Sequence, residues 1–285
     1  MSEDHGCLRL AGRPVADAVL ERVRSGVAQL ERPPRLCFVR VGDDPASVSY
    51  VRSKEKAAQR TGIVADTTVL PGRTRQEDLE ELLTRLSADD AVDGILLQLP
   101  LPEGLDSTAA LACIAPDKDV DGLHPVNVGR LWNGEDGLFP CTALGLIELL
   151  DHYGIGIGGR EAVIVGRSQL VGKPAAALFL RRNATVTLAH SKTKDLAGVV
   201  RRADIVVAAV GVPGLIKEQM VRPGAAVLDV GLTRVDGKIR GDVSPDVARV
   251  AAALTPMPGG TGLLTVAMLL VNTVTAATRR QTRAR

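Results

Sequence analysis

The chain has 285 residues, 45% hydrophobic, 24% charged and 2% aromatic, and its 35 basic against 33 acidic side chains give a formal net charge of +2. That length exceeds what one modest core holds, so the expectation is a large α/β domain or two smaller ones with a ligand cleft between them. A charge so near zero and so few aromatic rings argue against a polyanion partner and against base-stacking platforms, which excludes nucleic acid.

Cys7, Cys37, Cys113 and Cys141 form no C-x-x-C pair and have no histidine at zinc spacing, as expected for a reduced, cytoplasmic protein without a metal site. The opening Met-Ser-Glu-Asp-His-Gly is acidic rather than an apolar leader. No run approaches the ~18 apolar residues of a membrane span, so no membrane partner is expected. The basic tail over 279–285 reads as a solvated end.

In chain order, the pattern predicts a helix over 15–30, a strand over 36–41, helices over 47–61 and 76–87, and a strand over 94–99. The stretch 131–141 is rich in turn signals and marks a domain boundary. A helix over 142–152 then opens a second series: strand 162–165, helix 173–181, strands 185–189, 205–210 and 226–230, and a last helix over 263–278. Apolar, β-branched strands alternating with amphipathic helices indicate βαβ units and a parallel sheet. The expected domains are 1–140, completed by the C-terminal helix over 263–285, and 141–262.

Candidate chemistry in the first domain begins with Tyr50 and Lys54, four apart on one helix face, with Val48 and Val51 supplying the stripe that packs inward. Read without other signals, such a pair is a solvated helix face. Gln98 adds weight, because it interrupts an apolar run at the C-terminal end of a strand, where α/β sheets present ligands. Asp121 closes D-K-D-V-D-G, which starts like a calcium loop but has Val128 where the bidentate glutamate belongs, so the metal reading fails. A turn or capping role for Asp121 is the plain alternative.

In the second domain, the strand ending at Gly166 runs into Arg167-Ser168 and a helix opening near Gly172, a phosphate-binding turn with altered glycine spacing. The next strand ends in Ala189-His190-Ser191-Lys192, with no carboxylate to accept from a ribose 2′-hydroxyl. Arg167 and Ser191 could instead hold a 2′-phosphate, which favours NADP over NAD; the alternative is that these charges are merely solvated.

The motifs V-G-D-D-P-A-S-V-S-Y-V-R-S-K at 41–54, D-G-I-L-L-Q-L-P-L-P at 93–102, P-D-K-D-V-D-G-L-H-P-V-N-V-G-R at 116–130 and P-C-T at 140–142 resemble the bifunctional methylenetetrahydrofolate dehydrogenase/cyclohydrolase family. So do G-R-S-Q-L-V-G-K-P, A-H-S-K-T, D-V-G-L-T-R and P-G-G-T-G, in the family's order over nearly the whole chain. The resemblance implies two α/β domains with a cleft, a folate-binding catalytic domain and a Rossmann-type NADP domain, in a homodimer. It implies oxidation of 5,10-methylenetetrahydrofolate by NADP and hydrolysis of the product to 10-formyltetrahydrofolate. The alternatives are an NAD-linked dehydrogenase without hydrolase activity and a catalytically silent NADP- or folate-binding protein.

Carried over by motif, the resemblance makes Lys54 the catalytic lysine, Tyr50 the residue stacking on the folate, Gln98 a partner near the lysine and Asp121 the pterin-gripping carboxylate. It makes Thr142, Gly166, Arg167, Ser168, Ser191 and Leu232 cofactor-contacting positions, and it lets Pro258, Gly259 and Gly260 line the place where substrate and cofactor meet. Leu263 stands where the family commonly carries proline, a departure expected to affect substrate affinity.

Overall fold

The computed structural model describes residues 6–283. The acidic opening residues and the last two residues of the basic tail, to which two of the expectations above refer, lie outside them. The chain begins with strand β1 (Leu8–Arg9) and helix α1 (Gly12–Ala28), then β2 (Arg35–Val41), α2 (Pro45–Arg60), β3 (Val64–Leu70), α3 (Gln76–Ala88) and β4 (Gly94–Leu97). Helices α4 (Ser107–Ala112), α5 (Pro125–Asn133) and α6 (Cys141–His152) follow. Next come β5 (Glu161–Val165), α7 (Gly172–Arg181), β6 (Thr185–Ala189), α8 (Leu196–Arg201), β7 (Ile205–Ala208) and β8 (Ala226–Asp229). The hairpin β9 (Thr233–Val235) and β10 (Lys238–Arg240), strand β11 (Ala253–Leu254) and helix α9 (Gly262–Arg283) complete the described chain.

Two compact units emerge. Among the described residues, one comprises Ala18–Cys141 with 266–283, the other 6–17 with Thr142–Thr265. Residues 6–17 thus pack with the second unit, although the sequence reading puts them in the first domain. The reason is edge pairing: Leu8 and Arg9 add a parallel strand beside Ala253 and Leu254, a two-residue match too short to show as a hydrophobic pattern.

The first unit is built on a three-stranded parallel sheet in the order β3-β2-β4. Its central strand is buried nearly throughout, and Val39, Ile95 and Leu97 pack with Leu79 and Leu83 of α3 and with Ala110 and Ile114. Strand β3 was not among the expected strands. It is an edge strand, half open to solvent, so its V-A-D-T-T-V-L lacks the continuous apolar run used to find the others. The second unit carries a six-stranded parallel sheet in the order β1-β11-β8-β7-β5-β6, with four-residue strands β7 and β8 fully buried in its middle.

Helix α9 revises two expectations. By length and composition it is the one helix among the described residues able to cross a membrane, with a mean hydropathy of 1.3 over its apolar window, half of which is buried inside the protein. Its Asn272 and Thr273 are also buried, and the Asn272 amide donates to the Val120 and Phe139 carbonyls at 2.8 and 2.9 Å, as a core helix does. The tail is also less solvated than expected. Arg280 has an 18% exposed side chain and pairs with Asp90 at 3.1 Å and with Asp117 at 3.6 Å.

Candidate active site

In the first unit α2 is launched by Asp44, whose carboxylate accepts from the Ser47 amide at 2.8 Å, with Pro45 in the first turn. The helix buries Ser47, Val51 and Ala58, which turns Tyr50 outward at 48% exposure and leaves Lys54 half-buried. One face of α2 therefore offers an open aromatic ring and, a turn later, a lysine drawn partly out of water.

Lys54 meets Gln98. Its ammonium donates to the Gln98 side-chain oxygen at 3.1 Å. Strand β4 stops at Leu97, one residue before Gln98, which stays in register because its amide donates to the Val39 carbonyl at 2.8 Å. The Gln98 side-chain NH₂ donates to the Leu99 carbonyl, so its oxygen is the end presented to Lys54.

The D-K-D-V-D-G motif is divided by burial. Asp117 pairs with Arg280 and Arg283. Lys118 is buried, with its ammonium on the Leu86 and Asp89 carbonyls at the end of α3, and burial pulls its pKa down. Asp119 is buried too and accepts from the His124 amide at 2.8 Å and the Asn127 side chain at 2.9 Å. Burial raises its pKa despite those bonds, and its second oxygen has no partner. The capping role considered for Asp121 belongs to His124, whose ring accepts from the Val126 amide at 3.1 Å to start α5.

Asp121, half-buried, lies against the Cys141 thiol. Burial raises the Cys141 pKa well above the ordinary thiol value, the Asp121 charge adds to that, and the Lys54 charge opposes it. Cys141 thus lies within the fields of both charged candidates. The Cys141 thiol donates to the Val120 carbonyl at 3.3 Å, and the Asn272 amide reaches its sulfur at 3.6 Å. The structure brings Lys54 and Gln98 together and sets Asp121 against Cys141, which also feels the Lys54 charge. Sequence reasoning had no role for Cys141 or Asn272; the P-C-T motif was the one available signal for Cys141.

In the second unit, β5 ends in a turn that only glycine fits. Gly166 has φ +126°, and a Cβ there would lie 2.2 Å from the Ala209 carbonyl oxygen; one on Gly172 would lie 2.1 Å from the Gly166 oxygen. The Ser168 hydroxyl accepts from the Val171 and Gly172 amides at 3.2 and 3.3 Å, closing the turn at the start of α7. Arg167 projects, exposed, from the same turn.

After β6, the His190 ring accepts from the Lys192 amide at 3.1 Å, and Ser191 is exposed between them. Leu232 is 52% exposed after β8. Thr142 shares a 3.0 Å hydroxyl–hydroxyl bond with Thr265. Pro258 and Gly259 are exposed, Gly260 is buried, and the Gly12 amide donates to the Gly259 carbonyl at 2.9 Å. A tight strand-to-helix turn whose backbone packs closer than any Cβ allows, a basic side chain beside it and no carboxylate in the 189–194 turn fit a phosphorylated dinucleotide.

Comparison with known proteins agrees. Residues 10–121 match the family model for the catalytic domain of tetrahydrofolate dehydrogenase/cyclohydrolase, and residues 140–281 match its NAD(P)-binding domain. The chain is 54% identical over 272 residues to a bifunctional protein FolD of Thermus thermophilus, covering 95% of this chain and 96% of that one. Among solved structures, the bifunctional FolD enzyme of Campylobacter jejuni superposes with a TM-score of 0.94 at 41% identity, covering 96% of this chain and 99% of that one. The Trypanosoma brucei dehydrogenase-cyclohydrolase, complexed with NADP cofactor and an inhibitor, gives 0.90 at 43% identity, covering 96% and 98%. With both domain models matched in order along a chain that carries the lysine–glutamine pair and the glycine cradle, this protein belongs to the tetrahydrofolate dehydrogenase/cyclohydrolase family.

Proposed function

We propose that Lys54, Gln98 and Asp121 perform the folate chemistry of this bifunctional, NADP-dependent methylenetetrahydrofolate dehydrogenase and methenyltetrahydrofolate cyclohydrolase, and that Tyr50 stacks on the folate. The observation that carries this reading is the Lys54–Gln98 bond at 3.1 Å, with Asp121 against Cys141 nearby. Folate work falls to the residues of the first unit and cofactor binding to those of the second, with Pro258, Gly259 and Gly260 assigned to the place where the two ligands react.

Bound NADP supplies the acceptor for the hydride that leaves the one-carbon bridge. That step asks the protein for orientation rather than for a base, since no proton moves with the hydride. Asp121 supplies the orientation by accepting from the amino-amide edge of the pterin, and Tyr50 by covering a ring face. Gly166 lets the turn close tightly against the Ala209 carbonyl beneath the phosphates, Arg167 and Ser191 take the 2′-phosphate, and Ser168, Thr142 and Leu232 border the cofactor.

Hydrolysis makes different demands. Water adds to the amidinium carbon and gives up a proton; the carbon–nitrogen bond to the ring then breaks, the departing nitrogen gains a proton and the new hydroxyl loses one to become the formyl oxygen. An amine that can accept and return a proton serves both halves, and Lys54 is assigned that role. The Gln98 oxygen fixes the ammonium through one of its three hydrogens and leaves the others for water and substrate. We further assign the enzyme to the cytoplasm and to a homodimer.

The test is a pair of separate assays on purified protein. NADP reduction with 5,10-methylenetetrahydrofolate and accelerated decay of added methenyltetrahydrofolate are both expected, with NADP preferred over NAD. Decay no faster than in buffer would remove Lys54 from the hydrolytic role.

A further inference from the structure

The second unit buries two carboxylates that no folate or nucleotide chemistry has used, Asp229 and Asp242, at 2% and 0% exposure. Asp229 ends β8. One of its oxygens accepts from the Gly231 and Asp242 amides at 3.0 and 2.9 Å, the other from the Val243 amide at 3.0 Å. Asp242 follows β10 and reaches across to the end of β7, where one oxygen accepts from the Val210 amide at 2.6 Å and the Gly211 amide at 3.0 Å.

Its second oxygen is buried without a partner. The cause is close packing on Gly231, where a Cβ would come within 2.3 Å of the Asp242 carboxylate. The Asp242 carboxylate is therefore wedged between the turn after β7 and the turn after β8, and the second of these presents Leu232.

Both turns lie at the C-terminal ends of neighbouring parallel strands, the edge where such sheets hold ligands. They are continuous with the glycine cradle, because the Gly166 turn closes on the Ala209 carbonyl one residue before Val210. The base of the β9–β10 hairpin is tied into the same knot. Gly214 donates to the Gly241 carbonyl at 3.1 Å, and the Thr233 hydroxyl donates to the Gly211 carbonyl at 3.2 Å.

From this arrangement we infer that Asp242 is a positioning residue for the cofactor, holding the 209–211 and 231–232 turns in the spacing NADP requires without itself touching the nucleotide. The inference rests on the cofactor assignment of Gly166 and Leu232 proposed above, which these turns flank and carry. A buried acceptor for two adjacent amides is a fixed strut, and losing it lets both turns relax without disturbing the β5–β6–β7–β8 core.

The experiment measures KM for NADP, kcat of the dehydrogenase, and the cyclohydrolase rate without nucleotide in Asp242→Ala, Asp242→Asn and Gly231→Ala. For Asp242→Ala the KM for NADP rises about tenfold, kcat changes by less than about threefold, and hydrolysis stays within about twofold of the parent enzyme. Asp242→Asn, which keeps an acceptor oxygen for both amides, restores KM to within about threefold. Gly231→Ala, which forces the wedge apart from the other side, repeats the Asp242→Ala effect and serves if that variant fails to fold.

Unchanged KM for NADP in both Asp242→Ala and Gly231→Ala would overturn the inference, and so would an Asp242→Asn enzyme as impaired as Asp242→Ala. Parallel loss of hydrolysis would overturn it as well, marking Asp242 as a general structural residue. A parent enzyme that reduces no NADP fails the cofactor assignment itself, and that control is read before any variant.

Discussion

The two units prepare for their ligands in opposite ways. In the three-stranded unit side chains meet directly: Lys54 bonds Gln98 at 3.1 Å, Asp121 lies against Cys141, which also feels the Lys54 charge, and Asn272 pins the carbonyls of Val120 and Phe139. In the six-stranded unit Arg167, Ser191 and Leu232 are exposed, and order resides in the backbone turns beneath them, closed by Ser168, Asp229 and Asp242. Bond-breaking needs side-chain atoms at fixed separations before the substrate arrives, whereas a dinucleotide needs a shaped backbone and a few charges that it can gather on binding. Substitutions in the first unit should therefore cost rate, and those in the second affinity or stability.

The sharpest break of that contrast is Lys54→Ala. With Lys54 in the proton-transfer role proposed above, its loss is expected to lower the cyclohydrolase rate about 10³-fold. NADP affinity, measured by titration, should stay within about twofold because nothing in the cofactor cradle changes. A variant that still hydrolyses methenyltetrahydrofolate at near-parent rate would mean that preorganisation around Lys54 serves binding instead.

The buried carboxylates of the six-stranded unit give the next effect, in stability. Burial lifts the Asp229 pKa to about 6, against the bonds from the Asp242, Val243 and Gly231 amides that lower it. The folded state thus holds the Asp229 proton more tightly than the unfolded chain does. Its contribution is fully present below the unfolded value of 3.8 and is lost as pH rises to about 6. The loss is at most about 3 kcal/mol. Urea unfolding of the parent and of Asp229→Asn across this window should show the parent losing stability relative to the variant as pH rises. A flat difference would mean that the amides, not burial, set the ionisation of Asp229.

Arg167→Ala probes the affinity side with a smaller effect. Removing the charge-assisted contact proposed between Arg167 and the 2′-phosphate is expected to raise KM for NADP about tenfold. KM for NAD, which lacks that phosphate, should not move. Equal losses for both nucleotides would place Arg167 on the pyrophosphate instead and break the argument drawn from the carboxylate-free 189–194 turn.

This contrast also explains what could be read from the sequence. Buried parallel strands such as Ile205–Ala208 and Ala226–Asp229 announce themselves as apolar β-branched runs, and Gln98 stands out as a polar residue interrupting such a run, whereas Lys54, between Ser53 and Glu55, is marked only by its motif. Strand β3 was missed because an edge strand needs no such run, and β1 and β11 because two residues make no pattern. The struts were invisible for another reason. Asp229, Asp242 and Asn272 bond almost wholly to backbone amides and carbonyls, and a carboxylate or amide in the sequence does not show which main-chain groups will fold against it. The D-K-D-V-D-G motif combines both cases. Its three carboxylates look equivalent as letters, yet folding commits Asp117 to arginines and Asp119 to His124 and Asn127, and leaves Asp121 beside Cys141.

The smallest effect concerns Leu263, where the family commonly carries proline. Leu263 lies in the first turn of α9 at 36% exposure, and the next two amides, of Leu264 and Thr265, already reach the Thr261 carbonyl at 3.0 and 3.4 Å. Proline suits this position, since amides of a first helical turn have no partner within the helix and its fixed φ matches the helix. Leu263→Pro should accordingly raise stability by about 0.4–1 kcal/mol, through a less flexible unfolded chain, in the same urea titration. KM for methylenetetrahydrofolate should change by less than about twofold, because the helix start keeps its backbone. A tenfold drop in that KM would show instead that Leu263 holds the loop at Pro258–Gly260 away from its productive shape, and the affinity change expected from the sequence would then have a backbone cause in the six-stranded unit, where the contrast between the two units locates affinity.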